Sequence, residues 1–233
     1  MEALSLSKGG RMGIFDVIGP VMVGPSSSHT AGAVRIGLFA RRLLNAEPVR
    51  ADIGLHGSFA ATGEGHGTPL ALLAGLLGLN PDDERVPLSS TLAGERGLAY
   101  QFETEDLGEV HPNSVCLRLE SAQSALEIHA SSVGGGRIKI WNIDGFAVNL
   151  DGEYPTVLLI YPDRPGAVAV VSAILANATI NIATLKAHRT ERGGQALMAV
   201  QLDEVPPMGV IDSLRHLPHF EQVRFIPALG FGG

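Results

Sequence analysis

The sequence predicts a mixed α/β (α+β) protein made of two consecutive domains. The chain has 233 residues and a hydrophobic content of 45%, which suffices for two cores of ordinary size. Apolar helical patterns alternate with short strand-like segments along the chain. The polar, turn-forming stretch DGEYP at 151–155 separates two different patterns of elements. We therefore predict one α/β domain at 12–150 and a second domain at 153–233.

The first domain begins with a loop rich in small hydroxyl residues, GPSSSHTAG at 24–32. The segment AGAVRIGLFARRLL at 31–44 follows, with apolar residues near helical spacing, and this pattern indicates a half-buried helix. Ser28 or Thr30 is the expected cap, because either side chain can accept a hydrogen bond from a free helix N–H. A cap needs only one or two side-chain acceptors, so the remaining hydroxyls of this loop indicate a function.

A second glycine-rich loop follows a short predicted strand. The strand-like run ADIGLHGSF occupies 51–59, and the loop AATGEGHGTP occupies 60–69. The loop ends in Thr68 and Pro69, a favourable cap followed by proline at the first helical position. An apolar helix is predicted from Leu70 onward.

The remainder of the first domain is predicted to consist mainly of strands. Alternating apolar and polar residues form four strand-like segments that are separated by turn residues. These segments are LAYQFET at 98–104, SVCLRLE at 114–120, ALEIHASSV at 125–133 and RIKIWNI at 137–143. Two polar stretches interrupt them, HPNS at 111–114 and GGG at 134–136.

The second domain has a more regular order of elements, βαββαβ. The strands are predicted at 156–162, 180–190, 195–203 and 220–228, and the helices at 165–178 and 207–217. This order is the split unit of ferredoxin-like folds. We expect an antiparallel sheet with both helices on one face, which leaves the other face and the edge strands available for a second copy of the chain.

Composition and charge exclude several classes of protein. A formal net charge of −7, with no run of Lys or Arg, offers no positive field for nucleic acid. The most hydrophobic segment, at 70–79, is about half of the roughly 20 residues that span a bilayer, so no membrane insertion is expected. The N-terminal residues lack the apolar core of a signal peptide, and Met12 is a candidate start. We therefore expect a cytoplasmic protein.

The chain has a single cysteine, Cys116, in the alternating segment SVCLRLE. The alternating pattern predicts that Cys116 is a buried apolar side chain. Because it is the only cysteine, no disulfide framework is predicted. One thiolate cannot hold a zinc or iron–sulfur site that needs three or four ligands. The chain is therefore predicted to hold no metal itself, and any cluster would come from another chain.

The two glycine-rich loops share the features of a site for a small anion. Backbone N–H groups at a helix N-terminus have no partners within the helix and can bind a carboxylate, with serine hydroxyls extending the site. The second loop adds hydroxyls among glycines that let a ligand approach the backbone, with histidines nearby. We predict that both loops line one pocket, whereas an alternative interpretation treats them only as caps and turns.

Other catalytic motifs do not fit the chain. Ser28 stands where a G-x-S-x-G motif needs its second glycine, so no nucleophile elbow is predicted. The stretch GEGHGT lacks the Lys-Ser/Thr ending of a phosphate-binding loop, and no H-E-x-x-H pair is present. A lone histidine is more often a core or surface residue than a ligand. We therefore do not expect four of the histidines to be site residues, namely His129, His188, His216 and His219.

Four motifs in order carry a resemblance to a known family. They are IGPVMVGPSSSHTAGAVRIG, HGSFAATGEGHGT, HPNS and SSVGGGRI, followed by the βαββαβ unit. The sequence resembles the beta subunit of bacterial iron–sulfur-dependent L-serine dehydratase over nearly the whole chain from Met12. It departs from the expected pattern at Glu64 and Pro69, where lysine and aspartate are more usual.

The resemblance implies conversion of L-serine to pyruvate and ammonia without pyridoxal phosphate. It implies a [4Fe-4S] cluster carried mainly by a separate alpha subunit, in which an iron acts as a Lewis acid on the serine hydroxyl. It also implies that the serine-rich loop borders the substrate site. On this basis the catalytic candidates are His29, Ser28 and His66. The substrate-binding candidates are Ser26, Ser27, Ser28, Thr30, His56, Gly57, Ser58, Thr62, Gly63, Thr68, His111 and Asn113.

The second domain resembles an ACT domain, a small module that commonly binds amino acids at paired interfaces. The resemblance rests on YPDRPG at 161–166 and INI at 180–182. Its ligand candidates are Asp163, Gly166 and Asn181, and self-association is expected through residues 156–228. The alternative for this domain is a structural or dimerising role without a ligand. The alternative for the whole chain is a non-catalytic, amino-acid-binding regulatory protein.

Overall fold

The computed structural model describes residues 21–230. The candidate start at Met12 and the first residues of the predicted 12–150 domain lie outside this range. Among the described residues, no helix combines the length and the apolar character needed to cross a bilayer.

The described residues form a mixed α/β fold with two sheets, as predicted. The helices are α1 (Ala33–Leu44), α2 (Gly57–Thr62), α3 (Thr68–Leu76), α4 (Ser89–Glu95), α5 (Ala167–Asn177) and α6 (Met208–Arg215). The strands are β1 (Arg50–Leu55), β2 (Ala99–Thr104), β3 (Ser114–Glu120), β4 (Ala125–Gly134), β5 (Arg137–Ile143), β6 (Phe146–Leu150), β7 (Thr156–Pro162), β8 (Ile182–Arg189), β9 (Gln195–Leu202) and β10 (Gln222–Ile226).

The first six strands form one sheet in the order β2-β1-β3-β4-β5-β6. β1 pairs in parallel with β2, and the other neighbours pair antiparallel. Alternate residues of β3 and β4, such as Leu117 and Ile128, point into one apolar core together with α1 and α3. This helical layer positions the N-terminus of α1, and with it the serine-rich loop.

α1 and α3 pack with their backbones close together because each has a glycine at the crossing. A Cβ added at Gly37 would lie 2.4 Å from the carbonyl oxygen of Leu72, and one added at Gly75 would lie 2.1 Å from that of Val34. Larger side chains at these positions would separate the helices. The position of α1, which carries the serine-rich loop, therefore depends on this small-residue contact.

The second sheet has the order β10-β7-β9-β8, and all its neighbours pair antiparallel. Residues such as Val157 and Met198 pack beneath α5 and α6 in a separate apolar core. The predicted βαββαβ unit is confirmed. These elements were readable from local patterns, because α5 is a continuous apolar run and the apolar residues of α6 recur at helical spacing.

The opposite face of the second sheet packs against the first part of the same chain. Leu158, Leu197 and Ala199 belong to the same apolar cluster as Phe39 and Leu43 of α1. The expectation that this face stays available for a second copy is therefore wrong along these residues. Burying these side chains within the chain removes apolar surface from water without a partner.

Two arginines of α1 tie the segment after β10 to the first sheet's helical layer. Arg35 donates from Nη1 to the carbonyl of Gly230 at 3.2 Å, and Arg42 donates to that of Ala228 at 2.8 Å. Leu229 lies against Gly152, where an added Cβ would be 2.9 Å from a methyl carbon of Leu229. The two sheets are therefore joined through α1 as well as through the 151–155 connection.

Two local predictions in the first domain are wrong. The predicted strand at 51–59 ends at Leu55, and α2 begins at Gly57 within the expected strand and continues into the expected loop. Gly57 has a φ of +55°, which allows the turn from β1 into α2. A short apolar run does not distinguish strand from helix by periodicity, which is why the helix was missed. The helix α4 and the strand β6 were also not predicted.

The predicted caps differ as well. Ser26, not Ser28 or Thr30, accepts a hydrogen bond from the backbone N–H of His29. The residue before α3 is Gly67 in a left-handed conformation, and the hydroxyl of Thr68 makes no capping hydrogen bond. Pro69 does lie in the first turn of α3, as predicted.

Candidate active site

The serine-rich loop forms a wide helical turn that leads into α1. Residues Ser27–Gly32 have π-helical geometry, and the preceding Ser26 is extended. Widened turns of this kind occur frequently at functional sites. The backbone N–H of Thr30 donates to the carbonyl of Ser26 at 2.8 Å, while the hydroxyl of Ser26 accepts from His29 N at 3.2 Å. Ser26 therefore closes the turn and leaves Ser27 and Ser28 half-buried at its start.

The serine-rich loop and the second glycine-rich loop meet at the imidazole of His29. Its Nε2 lies 3.3 Å from the hydroxyl oxygens of both Ser58 and Thr62. Its ring packs edge-on against Phe59 at 5.3 Å and lies 4.9 Å from the ring of His66. The two loops therefore meet at His29, and that they line one substrate pocket stays a prediction.

The surroundings of His29 favour its neutral form. Burial of the ring lowers the pKa of His29, and the nearby His66 lowers it further, while hydrogen bonding to Ser58 acts in the opposite direction. A neutral imidazole can accept a proton, whereas a protonated one cannot. His29 is therefore suited to proton transfer near neutral pH.

α2 presents the second loop's polar groups to His29. The hydroxyl of Thr62 donates to the carbonyl of Ser58 at 2.9 Å, one helical turn earlier, and lies 3.2 Å from the Ser58 hydroxyl. The ring Nδ1 of His66 lies 3.0 Å from the carbonyl of Thr62. Thr30 is buried and donates to the carbonyl of His66 at 3.4 Å, which ties the first loop to the second.

The two candidate glycines act through their backbones. A Cβ at Gly57 would lie 2.6 Å from the carbonyl oxygen of Pro112, so the chain can pass the HPNS stretch only without a side chain there. Gly63 accepts a hydrogen bond from the backbone N–H of Thr68 at 2.8 Å. Thr68 itself is fully buried, and its hydroxyl has no hydrogen-bond partner among the described residues. Its side chain does not reach the exposed surface of the site.

Three other candidates have hydrogen-bond partners away from His29. The Nδ1 of His56 accepts from the backbone N–H of Leu107 at 3.2 Å, and that of His111 accepts from Asn113 N at 3.1 Å. The carbonyl of Asn113 accepts from Ser132 N at 2.9 Å. Among the described residues, none of these three candidates hydrogen-bonds to His29.

Sequence reasoning missed the buried serine beneath the serine-rich turn. Ser132 of β4 is fully buried, and a Cβ added at Gly32 would lie 2.1 Å from its hydroxyl oxygen. The neighbouring Ser131 points to the opposite face of the sheet, where it lies 2.7 Å from the hydroxyl of Ser114 and accepts from the indole N–H of Trp141 at 3.1 Å. The motif SSVGGGRI contains both serines, but only the packing of α1 on the sheet shows that Ser132 lies below the turn.

A groove of about 660 Å³ adjoins the His29 constellation. Thr62 and His66 contribute to its lining, as do the two departures from the family pattern, Glu64 and Pro69. Phe59 and Phe102 contribute apolar surface to it. The site is therefore open on this side of α2.

The described residues do not fit an iron–sulfur cluster within this chain. Such clusters are normally held by several cysteine thiolates, and Cys116 is the only cysteine. It is buried in β3, and burial raises the pKa of its thiol to about 12. No thiolate lies at His29, so a cluster at this site would depend on ligands from another chain.

The three ligand candidates of the second domain have separate surroundings within the chain. The carboxylate of Asp163 accepts from Arg189 at 3.0 Å and from the backbone N–H of Gly193 at 3.1 Å. These contacts lower the pKa of Asp163, the backbone hydrogen bond contributing most. Asn181 donates to a carboxylate oxygen of Asp203 at 2.5 Å, and Gly166 is exposed with a φ of +103°. No single centre comparable to His29 connects them in the described chain.

The chain is similar over nearly its whole length to named relatives. It is 40% identical to the probable L-serine dehydratase beta chain of Bacillus subtilis over 90% of this chain and 96% of that protein. It is 39% identical to the L-serine dehydratase beta chain of Peptoniphilus asaccharolyticus over 91% of this chain and 96% of that protein. These matches cover both sheets.

More distant relatives include D-3-phosphoglycerate dehydrogenases. The protein from Methanocaldococcus jannaschii is 28% identical over 51% of this chain but only 22% of its own length. This similarity is consistent with the ferredoxin-like, ACT-type fold of the second domain. The family model for the serine dehydratase beta chain matches residues 13–141, which include the serine-rich turn, α2 and the strands beneath them. The chain belongs to the serine dehydratase beta chain family.

Proposed function

We propose that this chain is the beta subunit of an iron–sulfur-dependent L-serine dehydratase, an L-serine ammonia-lyase. The observation that carries the proposal is the convergence of Ser58, Thr62 and His66 on His29, in a chain of this family. In the reaction L-serine loses its hydroxyl group and its α-proton as water. The resulting enamine tautomerises to an imine, which water hydrolyses to pyruvate and ammonia.

The serine-rich turn would bind the substrate carboxylate. The first backbone N–H groups of a helical turn have no partners within the helix, and they attract an anion. Ser27 and Ser28 lie half-buried at this position. A hydrogen bond to a charged group contributes about 1.5–3 kcal/mol, enough to orient a small amino acid. The carboxylate would then hold the reacting carbon above the turn.

His29 would transfer the proton. Its lowered pKa keeps the imidazole neutral, and the hydroxyls of Ser58 and Thr62 orient its Nε2. A neutral, oriented imidazole is a suitable general base for the α-proton. His66 would assist by lowering the pKa of His29, and it also contributes to the lining of the groove.

The cluster is proposed to belong to a partner. A [4Fe-4S] cluster held mainly by an alpha subunit would supply a Lewis acid for the serine hydroxyl. The single buried cysteine of this chain supports this division, because it leaves the cluster ligands to another polypeptide. An oxygen-sensitive cluster and a chain without disulfides both fit a cytoplasmic location.

The test compares the isolated chain with the assembled enzyme. The isolated chain is expected to be colourless, to hold no stoichiometric iron–sulfur cluster and to leave L-serine unchanged. Co-expression with a cysteine-bearing alpha subunit from the neighbouring reading frame is expected to produce pyruvate from L-serine under anaerobic conditions. Turnover of L-serine by the isolated chain would contradict the two-subunit proposal. No observation favours the non-catalytic regulatory alternative.

Self-association is proposed through the second sheet, in a tetramer of two alpha and two beta subunits. The strand β8 is an edge of this sheet and is largely exposed, so it can pair with a second copy. Light scattering on the full chain would measure its mass, and calorimetric titration with L-serine would test an ACT-type ligand. A chain that stays monomeric at high concentration would contradict self-pairing. A folded dimer that gives no heat of binding when titrated with L-serine would indicate that the second domain has a structural role without a ligand.

A further inference from the structure

The outer face of the six-stranded sheet, opposite its helices, carries a cluster of potential metal ligands. Cys116 of β3 pairs directly with His129 of β4, so both side chains lie on the same face of the sheet. Glu127 is two residues before His129 on β4. Because successive side chains of a strand point to opposite faces, Glu127 lies on this face as well. Their neighbours Leu117 and Ile128 point into the apolar core on the opposite side.

The ligand atoms are already close to the spacing that a tetrahedral metal requires. The Nε2 of His129 lies 3.5 Å from the sulfur of Cys116 and 3.1 Å from Oε1 of Glu127. All three atoms lie within 4.8 Å of one another. Zinc bonds of about 2.0–2.3 Å at tetrahedral angles place ligand atoms roughly 3.3–3.8 Å apart.

We propose that Cys116, Glu127 and His129 form a binding site for one thiophilic divalent cation of the zinc type. Sulfur, imidazole nitrogen and carboxylate oxygen are the three ligand types that zinc uses in proteins. The fourth position is open to water or to a group from a partner, since Glu127 is partly exposed. The site lies in strands rather than in loops, so its geometry is held by the β3–β4 ladder.

The charges around the cluster favour a cation. The guanidinium of Arg118 bonds Glu127 at 3.1 Å, and it also pairs with Glu105 at 2.7 Å and Glu103 at 3.6 Å. Three carboxylates against one guanidinium leave a negative balance that a divalent cation would offset. Arg118 contacts Oε2 of Glu127 and leaves Oε1 facing His129. Hydrogen bonds of this kind orient a ligating carboxylate.

A nucleophilic role for the same residues fits the structure poorly. In a catalytic triad the acid and the nucleophile contact opposite nitrogens of the histidine, whereas Cys116 and Glu127 both face Nε2. Cys116 is also fully buried, with a raised thiol pKa. A bound metal would displace the thiol proton, as metal coordination by cysteine generally does.

Cobalt(II) titration of the metal-free full chain tests the site without using dehydratase activity. Because Cys116 is the only cysteine, a thiolate-to-cobalt charge-transfer band in the near ultraviolet can have only one source. We expect this band to saturate at one cobalt per chain, together with visible bands of tetrahedral cobalt. Zinc is expected to displace the cobalt and abolish both sets of bands.

Variants separate the ligands from the other histidines. Cys116→Ser is expected to remove the charge-transfer band, and His129→Gln or Glu127→Gln to weaken cobalt binding by more than tenfold. His219→Gln, at an exposed position in the second domain, is the matched control and should leave the titration unchanged. Circular dichroism establishes that each variant is folded. Absence of the band in the folded wild-type chain, or a band that His129→Gln and Glu127→Gln leave unchanged, would overturn the proposal.

Discussion

Two turns that lead into helices, one in each domain, carry the predicted binding residues, and they differ in how their polar groups are used. Before α1, the side chain of His29 contacts residues from the other glycine-rich segment, including Ser58 and Thr62. Before α5, the carboxylate of Asp163 is occupied by Arg189 and by the backbone of Gly193. The first turn is built around a shared centre, whereas the carboxylate of the second turn is already bonded to the end of β8 and to the turn that follows it.

This difference shows why equally suggestive sequence motifs deserve different functional weight. The polar groups around Asp163 already bond to one another within the chain. Around His29, hydroxyl groups and a second imidazole converge on a half-buried ring, which is the arrangement that we propose for substrate binding. The following experiments test this contrast.

The largest effect is expected from His29→Ala in the assembled enzyme. Removing a general base should lower kcat by roughly 10² or more. The measurement is the rate of pyruvate formation at saturating L-serine, with His219→Ala as a control at an exposed histidine of the second domain. Wild-type kinetics combined with only a lower Tm would show that the first turn, like the second, is merely structural.

Ser27→Ala should mainly weaken substrate binding. Loss of one charge-assisted hydrogen bond of about 1.5–3 kcal/mol corresponds to a rise in KM of roughly tenfold or more. The value of kcat should change little, because the proton transfer is left intact. Ser213→Ala is the matched control, since that exposed serine lies in α6 and donates to the carbonyl of Gly209 in the same helix. An unchanged KM would remove Ser27 from the carboxylate site.

Gly32→Ala should destabilise the first turn by crowding. The added Cβ would lie 2.1 Å from the hydroxyl of the buried Ser132, and overpacking of this kind costs roughly 1–3 kcal/mol of the free energy of unfolding. Gly94→Ala provides the contrast, because it lies in α4 with open space and should stabilise by about 0.5–1 kcal/mol. Chemical denaturation measures both, and a neutral Gly32→Ala would contradict tight packing beneath the turn.

His66→Gln should move the acid limb of the pH profile. In the wild type, kcat/KM falls at low pH because His29 becomes protonated. This protonation occurs below the ordinary pH range of histidine, because burial and the nearby His66 lower the pKa of His29. Removing His66 removes the smaller of these causes, so the pKa of His29 rises and the acid limb shifts to higher pH. An unmoved limb, or one shifted to lower pH, would show that His66 does not act on His29.

The smallest effect is expected from Asp163→Asn in the second turn. Loss of the ion pair with Arg189 should lower Tm slightly, and added salt should reduce the difference from wild type. Because the folded pKa of Asp163 is lowered, its stabilisation is present above the unfolded pKa and is lost as pH falls through the folded value. A large fall in serine turnover would instead place Asp163 in a functional site and weaken the contrast between the turns.

Much of the fold could be predicted because its elements are specified by neighbouring residues. The four strands and two helices of the second domain follow from local alternation and from apolar helical runs. α2 was missed because its six residues are too few to show a helical period, and because Gly57 allows a turn that depends on Pro112. The serine-rich motif itself was readable, since its hydroxyls exceed what a cap requires.

By itself, the sequence determined the βαββαβ unit, the serine-rich turn and the inability of one cysteine to hold an iron–sulfur cluster. Only the tertiary structure decided that His29 meets Ser58, that Ser132 lies beneath Gly32, and that His129, set aside as a lone histidine, pairs with Cys116. Local patterns encode which residues form a helix or strand. Contacts between residues far apart in the chain depend on strand order and helix packing, which no single segment specifies.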